Sequence, residues 1–241
     1  MLSFKPWRLE AILQFWGLLF LSWFGGMVVC GLLRKAGIAG FEDPDDPGSI
    51  FIGTLSLQGV AWILIGIFLW QHQVSWIDAF GLRDPGLRRA LKLAVPVGFA
   101  ALLIAWLLQS LCVWIMIRLG HPPGDELAVA LLQSAKTWWL RAYLGIFAIV
   151  LAPVAEEFIF RGMLYPKIKQ LGAPKTAFFG INAIFALIHV DMATLVPLFV
   201  LGLILTWLYE RTDNLLAPIS VHAFFNAANY VLLLAFQEHA R

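Results

Sequence analysis

The stretch Ile146-Phe-Ala-Ile-Val-Leu-Ala-Pro-Val-Ala-Glu-Glu-Phe-Ile-Phe-Arg161 decides how the chain folds. Ten apolar residues lead into two adjacent carboxylates, and an arginine follows five positions after the first of them. Each such group costs roughly 2.5–3.5 kcal/mol at the centre of a membrane helix before any pairing. A chain retains them there when they pair with one another or line a cavity that performs a function. The polar cluster therefore marks both a membrane helix and the place to look for chemistry.

The rest of the chain supports a membrane setting. Of its 241 residues 61% are hydrophobic and only 13% charged, against about half and a quarter in soluble domains. Mean hydropathy is +0.81. Apolar runs near 11–33, 50–70, 91–117, 139–165, 175–190, 193–210 and 215–236 approach the ~20 residues that span a bilayer as helix. This predicts an all-α polytopic bundle of seven spans. An eighth is open, because the apolar stretch 127–136 either lies in the interface or extends the fourth helix. The chain reads as one integral membrane domain over 1–241. The first run is too long for the core of a signal peptide, and no small-residue cleavage site follows it, so it reads as an uncleaved span.

Charge orients the bundle. The loop 34–49 carries Glu42, Asp43, Asp45 and Asp46, whereas 71–92 carries Arg83, Arg88, Arg89 and Lys92. Basic loops stay in the cytoplasm, which places the N-terminus inside. Lys167, Lys169 and Lys175 after the fourth span and Arg211 after the sixth then fall on the same side. Trp7, Trp70, Trp76, Trp138 and Trp139 lie near span ends, as an aromatic belt does. A cell-membrane location is expected. A net charge of +2 gives no footprint for nucleic acid, and the apolar spans make membrane lipids the expected surroundings. Cys30 and Cys112 lie in apolar runs and read as neither a disulfide framework nor a zinc site.

Three polar pairs stand at helical spacing. Glu157 and Arg161 are four apart, with the acid N-terminal, and share a helix face. Glu156 points about 100° away; a carboxylate without a partner is a candidate general base. His189 follows Asn182 by two turns, and His222 precedes Asn226 by one. At ~1.5 Å per residue, Glu156, His189, His222 and Asn226 lie roughly 18, 21, 12 and 18 Å above the inner ends of their spans. Topology deduced from charge alone thus brings them to similar depth. Taken singly, a membrane histidine or asparagine is often interhelical glue, and the Glu157–Arg161 pair reads as structural. Taken together, they describe one buried polar site. Zinc-protease His-Glu-x-x-His, Gly-x-Ser-x-Gly and Gly-rich phosphate motifs are all missing from the sequence.

The three motifs, Glu156-Glu157-x-x-x-Arg161, Phe185-x-x-x-His189 and His222-x-x-x-Asn226, resemble those of the CAAX protease and bacteriocin-processing family (CPBP, or Abi) of intramembrane endopeptidases. The eukaryotic prenyl-protein endopeptidase is its best-known member. The resemblance covers about 145–235, the expected catalytic core, and extends to Trp207-Leu-Tyr-Glu-Arg-Thr and Leu216-Ala-Pro-Ile-Ser-Val-His222. It implies a helical fold of about eight spans and, as partner, a membrane-anchored protein or peptide substrate. It also implies that Glu156 and His189 activate a water, that His222 and Asn226 stabilise the oxyanion, and that Glu157 and Arg161 hold the site together. Two cofactor readings stay open. Glu156, His189 and His222 could hold zinc with one position free, but Asn226 is a poor zinc ligand and a Glu–His pair suffices as base, so a metal-free mechanism is expected. The alternative to a protease is a non-proteolytic scaffold or bacteriocin-immunity protein sharing the fold.

Overall fold

A computed structural model describes residues 2–44, 46–82, 86–124, 129, 131–132, 135 and 137–239; of Gln237, Glu238 and His239 it describes the backbone only. The described chain is all helical, with eight helices. Six are long and apolar enough to cross a membrane: α1 (Leu9–Lys35), α2 (Pro47–Gln71), α4 (Leu87–Arg118), α5 (Trp138–Gln170), α7 (Leu195–Thr212) and α8 (Leu216–His239). The other two are α3 (Trp76–Phe80) and α6 (Pro174–Leu187). Six of the seven expected spans are thus full-length helices. The seventh, 175–190, is a helix of 14 residues, about 21 Å long, that stops short of crossing. Of the stretch 127–136, positions 127, 128, 130, 133, 134 and 136 lie outside the described residues. Its Leu132 and Ala135 are buried against Leu140 and Leu144 of α5.

Local chemistry sets the ends. Pro47 and Pro174 stand in the first turns of α2 and α6, where a missing N–H does no harm. After α1 the chain turns at Gly37 (φ +67°), a conformation that glycine adopts without strain. Arg34 and Lys35 close α1 and face its carbonyl end favourably.

Burial sorts the helices by role. Half of the most apolar window of α5 is buried, against 11% for α1, so α5 is the central helix and α1 lies at the lipid boundary. The α1–α2 pair packs on one side of α5 through Phe15, Ile65, Phe68 and Phe158. On the other side α4, α7 and α8 share a core built on Ala101, Leu201, Leu205 and Val221. The short α6 wedges between α5 and α7.

Hydrogen bonds show which ends share a face. Ser3 donates to Asp213 from its backbone N–H and its hydroxyl. Lys167 donates to the Trp7 carbonyl (2.9 Å) and the Arg8 N–H to His72 Nε2 (3.0 Å). Asn214 donates to the Gly81 carbonyl (2.9 Å). The N-terminus, the α2–α3–α4 connection, the end of α5 and the α7–α8 turn therefore lie together, as the charge pattern requires. Trp70 and Trp138 are exposed, in keeping with an aromatic belt, but Trp7 is buried. Its indole N–H donates to the Gly162 carbonyl (2.7 Å), four residues before Pro166, which has no N–H to offer.

Candidate active site

The helix that carries the acids is not uniformly α. Two π-helical stretches, Phe147–Leu151 and Phe158–Leu164, flank the six-residue segment Ala152–Glu157. Each precedes a proline, Pro153 or Pro166. In the first stretch the Ala152 N–H reaches back five residues to the Phe147 carbonyl. In that register the Ala148 carbonyl faces position 153, where proline offers no donor. The Asn226 side-chain amide takes its place at 2.8 Å. Such π turns change which way side chains face and recur at functional sites.

Arg161 is the hub. It is fully buried, as is Glu157. One guanidinium nitrogen donates to Glu157 Oε1 at 2.9 Å. The other terminal nitrogen donates to Asn182 Oδ1 (2.9 Å) and the Gly202 carbonyl (3.2 Å), and Nε to Thr206 Oγ1 (3.4 Å). The Phe185 ring lies 4.6 Å from the guanidinium carbon, a favourable cation–π distance. Asn182 and Thr206 bond to each other as well. Helices α5, α6 and α7 are thereby tied to a single buried cation.

Glu157 passes the connection to α8. Its Oε1 accepts from Arg161 and also from His222 Nδ1 at 2.8 Å. Since that oxygen is an acceptor, the proton sits on Nδ1 and His222 Nε2 faces the other way. Nε2 lies 3.9 Å from Glu156 Oε2, a separation that a bridging water fits. Glu156 is about one-fifth exposed, in contrast to Glu157. His189 lies just beyond the end of α6, where its Nδ1 donates to the Phe185 carbonyl at 2.7 Å, leaving Nε2 as an acceptor. The Phe185 ring packs edge-on against both histidines, 5.0 Å from His189 and 5.7 Å from His222.

The structure therefore brings Glu156, Glu157, Arg161 and His222 into one connected set and places Asn226 one turn further along α8. No hydrogen bond or ion pair joins His189 to Glu156; Phe185 stands between the two histidines instead. Among the described residues no three His, Cys, Asp or Glu side chains converge on a metal position, so Glu156, His189 and His222 form no ready-made zinc cage. Sequence reasoning missed Thr206 and Gly202. A threonine inside the apolar run 195–212 is a weak signal, and Gly202 carries none until its carbonyl is seen on Arg161. Asn182 was noted for its spacing to His189, yet it faces Arg161.

Residues 137–228 match the family model described as "Type II CAAX prenyl endopeptidase Rce1-like". A curated relative, the "UPF0177 protein YxdF" of Lactococcus lactis subsp. lactis (strain IL1403), is 31% identical over 78 residues, covering 32% of this chain and 42% of the relative. The chain thus spans less than half the length of that relative. No solved structure matches the chain. The matched region holds all of the site residues above.

Proposed function

We propose that this chain, Rce1-like over residues 137–228, is an intramembrane endopeptidase that hydrolyses a peptide bond in a membrane-associated protein or peptide of the prenylated CAAX type. The observation that carries the reading is the linked set Arg161–Glu157–His222–Glu156 inside an apolar bundle. A chain that needed only helix adhesion would not leave one carboxylate of an adjacent pair about one-fifth exposed beside an imidazole.

In the proposed reaction a water held between Glu156 Oε2 and His222 Nε2 attacks the scissile carbonyl. Glu156 takes one of its protons, and the free Nε2 of His189 accepts a hydrogen bond from the other. In this reading His222 enters the reaction as the imidazolium, and the carbonyl oxygen becomes an oxyanion that accepts from its Nε2–H and from the Asn226 amide N–H not given to Ala148. Glu157, across the ring on Nδ1, stabilises the positive imidazole and fixes its orientation, as the carboxylate of a catalytic triad does. The C–N bond then breaks, and Glu156 returns its proton to the leaving amine. Arg161 positions Glu157 and touches no reacting atom. Every step is carried by protein groups and water, and none is routed through a metal. The basic, N-terminal face is assigned to the cytoplasm of a cell membrane, in keeping with the positive-inside rule.

Incubating the purified chain in proteoliposomes with prenylated and unprenylated membrane-anchored peptides, with and without a chelator, tests this reading. Cleavage of the prenylated set that survives the chelator is expected. Loss of cleavage on chelation would overturn the metal-free mechanism. Failure to cut any peptide would favour a non-proteolytic scaffold or immunity protein.

A further inference from the structure

A second polar place lies on the opposite side of the bundle, where α1 and α2 meet lipid. A recess of about 410 Å³ is lined by Arg8, Glu10, Ala11 and Gln14 at the start of α1 and by Gln71 at the end of α2. Its floor is the buried Ala11. Arg8, Glu10, Gln14 and Gln71 are exposed, and none of their side chains has a hydrogen bond or ion pair to another described residue. Glu10 and Gln14 are one turn apart and share a face. The recess is preformed. The Arg8 N–H is held by His72 Nε2 (3.0 Å), and His72 Nδ1 by the Phe68 carbonyl (2.7 Å), which pins the start of α1 to the end of α2.

Its depth fixes what can fill it. The apolar span of α1 begins directly after these residues, and Trp70 beside Gln71 is 72% exposed, as residues at the headgroup level are. What meets this recess is the polar part of the bilayer itself. We infer that it is a binding site for the headgroup of a zwitterionic phospholipid bearing a primary amine. Arg8 takes the phosphate through its planar fork of donors. Glu10 accepts from the ammonium. The amides of Gln14 and Gln71 complete the contacts to phosphate or glycerol oxygens. An anionic lipid without an amine sets its phosphate against an unanswered Glu10. A quaternary ammonium offers Glu10 no N–H. The site is independent of proteolysis, and its failure would leave the proposed function standing.

Native mass spectrometry of the purified chain in detergent tests the assignment, with phosphatidylethanolamine, phosphatidylglycerol and phosphatidylcholine of identical acyl chains. Phosphatidylethanolamine is expected to bind about tenfold more tightly than phosphatidylglycerol, the worth of one charge-assisted hydrogen bond. Glu10→Gln should erase that preference, and Arg8→Gln should weaken all three lipids. Both positions are exposed, so neither change threatens the fold; thermal unfolding of each variant confirms it. Equal binding of the lipids to wild type, or a preference that survives Glu10→Gln, would overturn the proposal. Soluble phosphoethanolamine that bound as tightly as the lipid would overturn the lipid assignment in favour of a small-molecule site.

Discussion

Arg161 is a full cation with no water to hold it, and its stability depends on groups from three helices. Breaking a buried ion pair by removing one partner is strongly destabilising, because the charge left behind has no compensation. Glu157→Ala is therefore expected to cost about 3–5 kcal/mol, read as a lowered unfolding midpoint in detergent; an unchanged midpoint would mean that Arg161 has other support. A subtler probe is Gly202. A Cβ built there would meet Asn182 Oδ1 at 2.9 Å and an Arg161 nitrogen at 3.2 Å. Gly202→Ala should cost about 1–3 kcal/mol through that crowding, in the same assay. Half of this arrangement is legible in the sequence. The i,i+4 spacing of Glu157 and Arg161 forecasts their pairing, since both lie on one helix. That Glu157 also grips His222 is not legible, because it depends on how closely α8 approaches α5. The family resemblance implies that Glu156 and His189 act on one water; in the structure the imidazole beside Glu156 is that of His222, with Nε2 3.9 Å from Oε2.

At the scale of elements, α5 shows how prolines can build a site without breaking a helix. Pro153 leaves the Ala148 carbonyl without a backbone donor, and Asn226 supplies one from α8. Asn226→Leu should then lose both a partly buried hydrogen bond, about 1–3 kcal/mol, and a proposed oxyanion donor. Pairing it with Pro153→Ala separates the two effects. The restored N–H at 153 is expected to recover stability but not cleavage, a coupling that a double-mutant cycle measures. Recovery of neither would mean that Asn226 does not serve Ala148. The turn after α6 has its own strain. Val190 is 90% exposed and sits at φ +52°, a conformation that a β-branched residue adopts at a penalty. Val190→Gly should raise stability by about 1 kcal/mol in thermal unfolding. Hydropathy located the helices well because length and apolarity set spans. It could not see that the run 175–190 breaks after Leu187, since Ile188 and Val190 are as apolar as any helix interior, nor could it see the π turns, which arise from proline placement.

At the scale of the whole molecule, charge predicts a topology, and the hydrogen bonds place the segments it expects on one side together on one face. The N-terminal strap, the end of α5 and the α7–α8 turn meet on one face, and that face holds Lys5, Lys167, Lys169 and Arg211. If it faces the cytoplasm, a cysteine at Lys5 in a cysteine-free background should resist an impermeant maleimide in intact cells, and one at Asp43 should react; the reverse labelling would invert the orientation. The first half of the chain reads from sequence only as hydrophobic spans, yet in the structure it supplies the wall of α1 and α2 against which α5 is set. The central claim is that Glu156 acts on a water in concert with His222 to cut a peptide bond. Its most direct test is the initial rate of peptide cleavage in proteoliposomes by wild type and by Glu156→Gln, with both proteins shown to be folded by their unfolding midpoints. The account predicts cleavage by wild type and a loss of about a thousandfold or more in the variant, within the range expected when a general base and its bound water are removed together. A variant that cuts at the wild-type rate would contradict it.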